Sequence, residues 1–278
     1  MCLYIASLNS GSNGNCYYIG NDNEAVLIDA GLSCRETEKR MNRLGLLIKN
    51  VKALFVSHEH ADHIFGIPVL AKKYQLPVYI TTATLQYSSF TIDKHLIVPF
   101  RTYEPVNIGA LSIIPFPKFH DASDPHSFIV EGSAVKVGVF TDIGMACEHV
   151  TMHFKQCNAA FLEANYDEEM LSTGRYPYYL KQRIRSINGH LSNNAALQLF
   201  TSHKSSSMSH LILSHLSKNN NCPELVQQLF NEHAGATRII IASRYAETGV
   251  YQIDNITYLP VNPEGLLTKQ KSLQLSMF

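Results

Sequence analysis

Four side chains able to bind a metal ion lie within six residues in the stretch Ser57-His58-Glu59-His60-Ala61-Asp62-His63. Neutral imidazole and carboxylate suit zinc, manganese or iron, and two histidines one residue apart in an extended turn send their rings the same way. Asp62 and His63, one turn later, can face a second ion. A helix N-cap beside exposed histidines would explain the same residues, but the density of the motif weighs for metal. The apolar run Ala53 to Val56 just before it reads as a buried strand. The ligands therefore leave a strand end, at the rim of a sheet where open α/β folds place their sites. Beyond them, Ile64, Ile67, Leu70 and Ala71 predict an amphipathic helix with Asp62 near its start.

The elements that must position this stretch alternate along the chain. Strands are predicted at Leu3 to Leu8, Cys16 to Ile19 and Ala25 to Ile28, the last ending in Asp29-Ala30-Gly31. The Asn9 to Asn15 turn is rich in glycine and small polar residues. It is either a plain hairpin connection or a loop whose amides line the site and hold an anion. Ser33 caps a helix to about Leu44. Strands follow near Val78 to Thr81, Leu96 to Phe100, Leu111 to Phe116, Ser127 to Val130, Val135 to Phe140 and Ala159 to Leu162. A helix over Asn194 to Ser202 precedes a strand from His210 that ends at His215. His153, His203 and His233 fall on helical stretches and are expected at the surface.

Composition bounds the function. The 278 residues are 45% hydrophobic and 17% charged, enough for one large domain or two small ones. Formal net charge is zero, so a polyanion would need a local basic patch. Six cysteines without a CxxC pair favour a reducing, cytoplasmic setting. No export signal or membrane span is read. The densest overlap of basic and aromatic residues runs from Arg175 through Tyr176, Tyr178, Tyr179, Lys181, Arg183 and Arg185. It is either a solvated amphipathic helix or a groove that neutralises phosphates and stacks bases.

HxHxDH after a buried strand resembles the metallo-β-lactamase superfamily, which implies an α/β fold, a four-layer αββα sandwich with metals between two sheets. The resemblance implies that His120 and Asp142 are the third and fourth metal positions and His215 the last. His58, His60 and His120 would then hold one divalent ion, Asp62, His63 and His215 the other, and Asp142 would bridge them. Asp29 would support the ligands from behind by orienting a histidine. His126 is read as a loop residue that could be mistaken for His120. "GHLSN", a helix and "LILSHLS" are similar to the zinc-dependent transfer-RNA 3′ processing nucleases, which gives His190 a part in phosphate chemistry without metal ligation. The stretches "SLNSGSNGN", "LIDAGLSCRE", "SHEHADHI", "HDASDP" and "GHLSN" together resemble the WalJ/YycJ-type family, over nearly the whole chain to about Pro263.

That resemblance implies a metal-dependent 5′-to-3′ DNA exonuclease linked to repair, with Asp62 and His190 catalytic and zinc or manganese as cofactor. Tyr166 departs from the family, where histidine is expected after "LEAN". An RNA-processing nuclease or a thioester or lactone hydrolase would use the same ligands, and a non-catalytic binding module would need defective ones. Residues 1–265 are expected to form the hydrolase domain and 266–278 a tail. The tail ends in Gln274-Leu275-Ser276-Met277-Phe278, which resembles peptides that dock bacterial sliding clamps: Leu275, Met277 and Phe278 would enter a groove, with Gln274 bonding at its edge. A last strand or packed tail is the alternative.

Overall fold

The structure is a computed structural model and describes residues 2–255. The tail and the expected boundary at residue 265 lie outside the described residues. One seven-stranded sheet is built from β1 (Leu3–Asn9), β2 (Cys16–Gly20), β3 (Ala25–Ile28), β4 (Val51–Phe55), β5 (Val78–Tyr79), β6 (Ile97–Val98) and β14 (Tyr251–Ile253), in the order β14-β1-β2-β3-β4-β5-β6. The second holds β7 (Val106–Ile108), β8 (Leu111–Pro117), β9 (His126–Gly132), β10 (Val135–Phe140), β11 (Ala159–Glu163), β12 (His210–Ser214) and β13 (Arg238–Ile241), in the order β13-β12-β11-β10-β9-β8-β7.

Period-two alternation makes the sandwich, because successive side chains on a strand face opposite sides. Val26 and Ile28 of β3, Ala53 and Phe55 of β4, and Val135, Val137 and Val139 of β10 meet between the sheets. Their neighbours Ala25, Leu27, Leu54 and Val56 turn outward. There they are covered by α1 (Cys34–Arg43), capped by Ser33, and α3 (Ile67–Tyr74). The outer face of the other sheet is covered by α5 (Glu148–Phe154), α8 (Asn193–His203) and α9 (Pro223–Asn231), through Val150, Phe154, Ala196, Leu199, Phe200, Val226 and Phe230. The result is the four-layer αββα order.

Most expected strands form within a residue or two of their predicted ends. The helix expected from Ile64 is instead two pieces, α2 (Ala61–Ile64) and α3. It breaks at Gly66, whose amide donates to Ala30 O at 2.7 Å, and a Cβ there would lie 1.8 Å from Leu32 O. The chain needs glycine to pass so close. β7, β13 and β14 were not expected; all three are short, and β7 and β13 are only half-buried at most positions. All six cysteines are free thiols. Among the described residues, no helix is long and apolar enough to cross a membrane.

Candidate metal centre

The parallel strands β3 and β4 of one sheet and β10, β11 and β12 of the other deliver their carboxyl ends to one place. Three of the residues just past those ends, Asp29, Asp142 and His215, are non-glycines at φ 60°, 53° and 56°. Such conformations persist only where surrounding contacts hold them, and they concentrate at functional sites. Asp29 shows how it is held: its carboxylate accepts from the Ser57 amide (2.8 Å), the Ser57 hydroxyl (2.7 Å) and His63 Nδ1 (2.7 Å).

All seven expected ligands converge. His58 Nε2 lies 3.0 Å from His60 Nδ1, which lies 3.3 Å from His120 Nε2, so three nitrogens surround one point. Beside them, His63 Nε2 is 3.1 Å from Asp142 Oδ2 and 3.6 Å from Asp62 Oδ2, and His215 Nε2 is 3.5 Å from both Asp62 Oδ2 and Asp142 Oδ1. Asp142 Oδ1 is also 3.8 Å from His120 Nε2, which puts this carboxylate between the two groups.

The outward ring nitrogens of four of the five histidines are occupied. Ser57 Oγ engages His58 Nδ1 at 2.8 Å, Asp29 engages His63 Nδ1, His120 Nδ1 donates to Gly189 O at 3.0 Å, and Glu163 Oε1 lies 3.3 Å from His215 Nδ1. This turns the Nε2 lone pairs inward, the arrangement that metal-binding histidines use. Glu163 could itself join a set with Asp142, His190 and His215. Its Oε1 is already 2.7 Å from His190 Nδ1, however, so it orients the two histidines instead.

A further buried chain reaches the centre from β2 and the Asn9–Asn15 turn. The His215 amide donates to Ser10 Oγ (2.7 Å), which bonds Tyr17 Oη (2.8 Å), which donates to Asn15 Oδ1 (3.2 Å). Asn15 Oδ1 also accepts from the Gly11 amide, so its Nδ2 faces Asp62 Oδ2 at 3.1 Å. The Ser10, Gly11, Gly14 and Asn15 amides are all taken up internally. The turn therefore positions Asp62 and His215, rather than presenting those amides to an anion. Gly31 completes the clamp, since a Cβ there would sit 1.7 Å from Asp62 O.

Electrostatics divide the centre in two. Burial, aided by His63 and Lys118, drives the His58 imidazole well below its usual pKa. Burial likewise takes His120 down to about 4. Burial would also depress His63, but the carboxylates of Asp142, Asp29 and Asp62 outweigh it and hold that ring up at about 10. His215 is raised by Asp142, Asp62 and Glu163 against the same burial. Asp62, whose burial would raise it, is held down at about 2 by His63 and His215. The carboxylates thus gather positive charge where a divalent ion would sit.

The metallo-β-lactamase superfamily profile matches residues 10–155. The chain is 36% identical over 82% of its length to "Exodeoxyribonuclease YycJ" of Bacillus anthracis, covering 87% of that protein. It is 31% identical over 78% of its length to "Exodeoxyribonuclease WalJ" of Streptococcus pneumoniae, covering 83% of it. The chain belongs to the metallo-β-lactamase superfamily. The fold agrees: the metallo-β-lactamase-fold protein YhfI from Bacillus subtilis superposes with a TM-score of 0.69 at 16% identity, over 91% of this chain and all of that one.

Membership of the superfamily implies a divalent-metal centre, and the residues present fit one. Asp142 Oδ2 and His215 Nε2 are buried with no hydrogen-bond partner among the described residues, a costly state unless a cation satisfies them. The donor set of imidazole and carboxylate suits zinc and manganese alike.

His190, half-buried, lines a cleft of about 160 Å³ together with Ser12, Asn165, Tyr176 and Arg183. The cleft lies against α7 (Tyr178–Arg185). Of the basic residues expected to hold nucleic acid, only Arg183 lines it, and its Nε is 2.5 Å from Asp121 Oδ2. Lys181 turns to Ser172 O and Arg185 to Glu168 O, and Arg175 is exposed beside Tyr176. The structure thus brings Arg183 alone of the four to the cleft. His126 bonds Thr102 and Asp124 O, apart from the ligands. Tyr166 is buried, its backbone bridges to Ser192, and it does not line the cleft. His153 is not a surface residue: it stacks on Phe116 with Nε2 buried.

Sequence reasoning missed Glu163, Asn15, Tyr17 and Lys118. Glu163 had a legible signal, because it ends β11 as Asp29 and Asp142 follow β3 and β10. Lys118 is buried and donates to Thr141 O at 2.8 Å, next to Asp142; nothing in its sequence context marks it.

Proposed function

We propose that this protein is a dinuclear-metal phosphodiesterase, a 5′-to-3′ DNA exonuclease acting in repair in the cytoplasm, with zinc or manganese as its ions. The observation that carries the reading is the seven-residue centre opening beside a Glu163–His190 pair onto a cleft with Arg183 at its wall. The identity to proteins named exodeoxyribonuclease supports DNA as substrate.

His58, His60 and His120 would hold one ion and Asp62, His63 and His215 the other, with Asp142 between them. Bound there, the ions would supply an activated water and neutralise charge on the scissile phosphate. Asp62, fixed by Asn15, keeps a carboxylate oxygen available to take a proton. Glu163 fixes His190 through Nδ1, leaving Nε2 to donate to a phosphoryl or leaving oxygen. Arg183 supplies a donor to the backbone, with Arg175, Lys181 and Arg185 further out on the same segment. Residues 1–265 form the catalytic domain in this reading. The final Gln274, Leu275, Met277 and Phe278 would dock a sliding clamp, an idea that unchanged clamp binding by a Leu275→Ala, Phe278→Ala variant would remove.

The test is a time course on end-labelled single- and double-stranded DNA with Mn²⁺, Mg²⁺ or Zn²⁺, alongside a His58→Ala, Asp62→Ala variant. Metal-dependent release of mononucleotides from the 5′ end, lost in the variant, is expected. Cleavage of RNA or esters but of no DNA would refute the assignment.

A further inference from the structure

The cations of the basic helix are largely engaged with their own chain, so the question is where the protein keeps cations that are not. A second cleft, of about 260 Å³, adjoins the metal centre. It opens between the loop after β12 and the loop after β13. Lys218 and Arg244 line it, and among the described residues neither side chain makes an ion pair or hydrogen bond. Arg183, by contrast, is already neutralised by Asp121. In a chain of zero net charge, two unpaired cations facing one cleft form a local anion site.

The cleft is built and not incidental. Ser10 N donates to Ser243 O at 3.1 Å, Asn13 Nδ2 to Arg244 O at 2.8 Å, and the buried Arg40 to Tyr245 O at 3.2 Å. The loop that carries Arg244 is thereby bonded to the same turn that positions Asp62 and His215. The Arg244 side chain lies over Gly11, where a Cβ would come within 3.2 Å of it. Tyr245, 70% exposed, presents a ring at the mouth. Ser217 lines both this cleft and the one holding His190, so a strand in one can continue into the other.

We propose that this cleft is a second nucleic-acid subsite, beyond Ser217 from α7, in which Arg244 and Lys218 hold backbone phosphates and Tyr245 stacks a base. The proposal rests on the nuclease reading. Guanidinium and ammonium groups are the usual phosphate contacts, and an aromatic face accepts any base. The subsite would hold a strand in register with the metal centre, supplying the grip that the self-paired residues of α7 lack.

The experiment measures binding of a 3′-labelled, 5′-phosphorylated phosphorothioate oligonucleotide by fluorescence anisotropy across a salt series, with KM and kcat on the cleavable DNA. A Lys218→Ala, Arg244→Ala variant is expected to bind at least about tenfold more weakly. Its plot of log affinity against log salt should be shallower by about 1.4, two single-strand phosphate contacts, with the loss in KM rather than kcat. Tyr245→Ala should weaken binding while keeping the salt slope. A Lys49→Ala, Lys52→Ala control carries the same charge change at the opposite end of β4 and should bind as wild type. Metal content and melting temperature verify that each variant is folded. Wild-type affinity and slope in the double variant, with DNA still cleaved, overturn the subsite and leave the nuclease reading standing. Competition by a free deoxynucleoside monophosphate, lost in a double variant that still binds the oligonucleotide normally, assigns the cleft to a nucleotide effector and overturns it too. No binding or cleavage of nucleic acid by the wild type defeats both readings.

Discussion

Replacing Tyr17 by phenylalanine tests whether the buried hydrogen-bond chain sets the metal centre. The ring would stay: it is fully buried on β2 and packs on Phe161 with centroids 4.8 Å apart. Only the hydroxyl is lost, and with it the bonds to Ser10 (2.8 Å) and Asn15 (3.2 Å). Asn15 Oδ1 keeps the Gly11 amide, whereas the Ser10 hydroxyl proton loses its acceptor. An unmet buried donor costs about 1–3 kcal/mol. Each kcal/mol should lower Tm by about 2–4 °C for a chain of this size. Groups that orient metal ligands are worth about 10–100-fold in metal affinity. Tyr17 acts through Ser10 and Asn15, so the low end, about tenfold, is expected. The chain reaches Asp62 and His215 but not His58, His60 or His120. A two-site Mn²⁺ titration followed by calorimetry and electron paramagnetic resonance should therefore show one site weakened about tenfold and the other within twofold. Equal weakening of both sites, or none, would refute the positioning role.

Three other outcomes follow from the same geometry. Glu163→Gln removes the charge that holds His190 Nδ1 and lies 3.3 Å from His215 Nδ1; at saturating metal kcat should fall about tenfold or more, toward the 10²–10⁴-fold loss expected for His190→Ala, and metal titration should show the site that includes His215 weakened by about tenfold. Chelated protein should lose stability as pH rises. His63 sits near 10 in the fold against about 6.5 unfolded, so its contribution is complete below about pH 6.5 and disappears on the way to 10. Asp62, held at about 2, works oppositely and loses its contribution only as pH falls through that value. A melting temperature of the chelated protein that does not fall between pH 6.5 and 10 would contradict this. Mn²⁺ or Zn²⁺ at about a hundredfold above its Kd should restore about 2.7 kcal/mol to the chelated protein, read as a rise in the denaturant midpoint.

Of the expected ligands, His58, His60, Asp62 and His63 were legible from their spacing after an apolar run, whereas His120, Asp142 and His215 were placed by the resemblance to the superfamily. All follow strand ends, and Glu163, which ends β11, could have been found by asking the same of that strand. What the sequence concealed depends on where side chains turn in space. Lys181 and Arg185 look like a phosphate grip in one dimension, but each bonds a nearby carbonyl. Lys218 and Arg244 are far apart in sequence and become one site only because β12 and β13 lie side by side. Tyr17 reads as one more apolar strand residue, and its role depends on partners before it, beside it and at residue 215. The break between α2 and α3 was likewise hidden, because Gly66 matters through a contact with Leu32 and not through helix propensity.

The expected ligands come from two sheets: His58 to His63 from one, His120, Asp142 and His215 from the other. A bound ion would therefore act as a removable cross-link between layers. From Asp62 to His215 it would close a loop of about 150 residues, a length at which constraining the unfolded chain matters most. Metal scarcity would then do more than silence the centre. It would loosen the seam between the sheets, expose more of the chain to proteases, and tie the protein's lifetime to the metal supply of its surroundings.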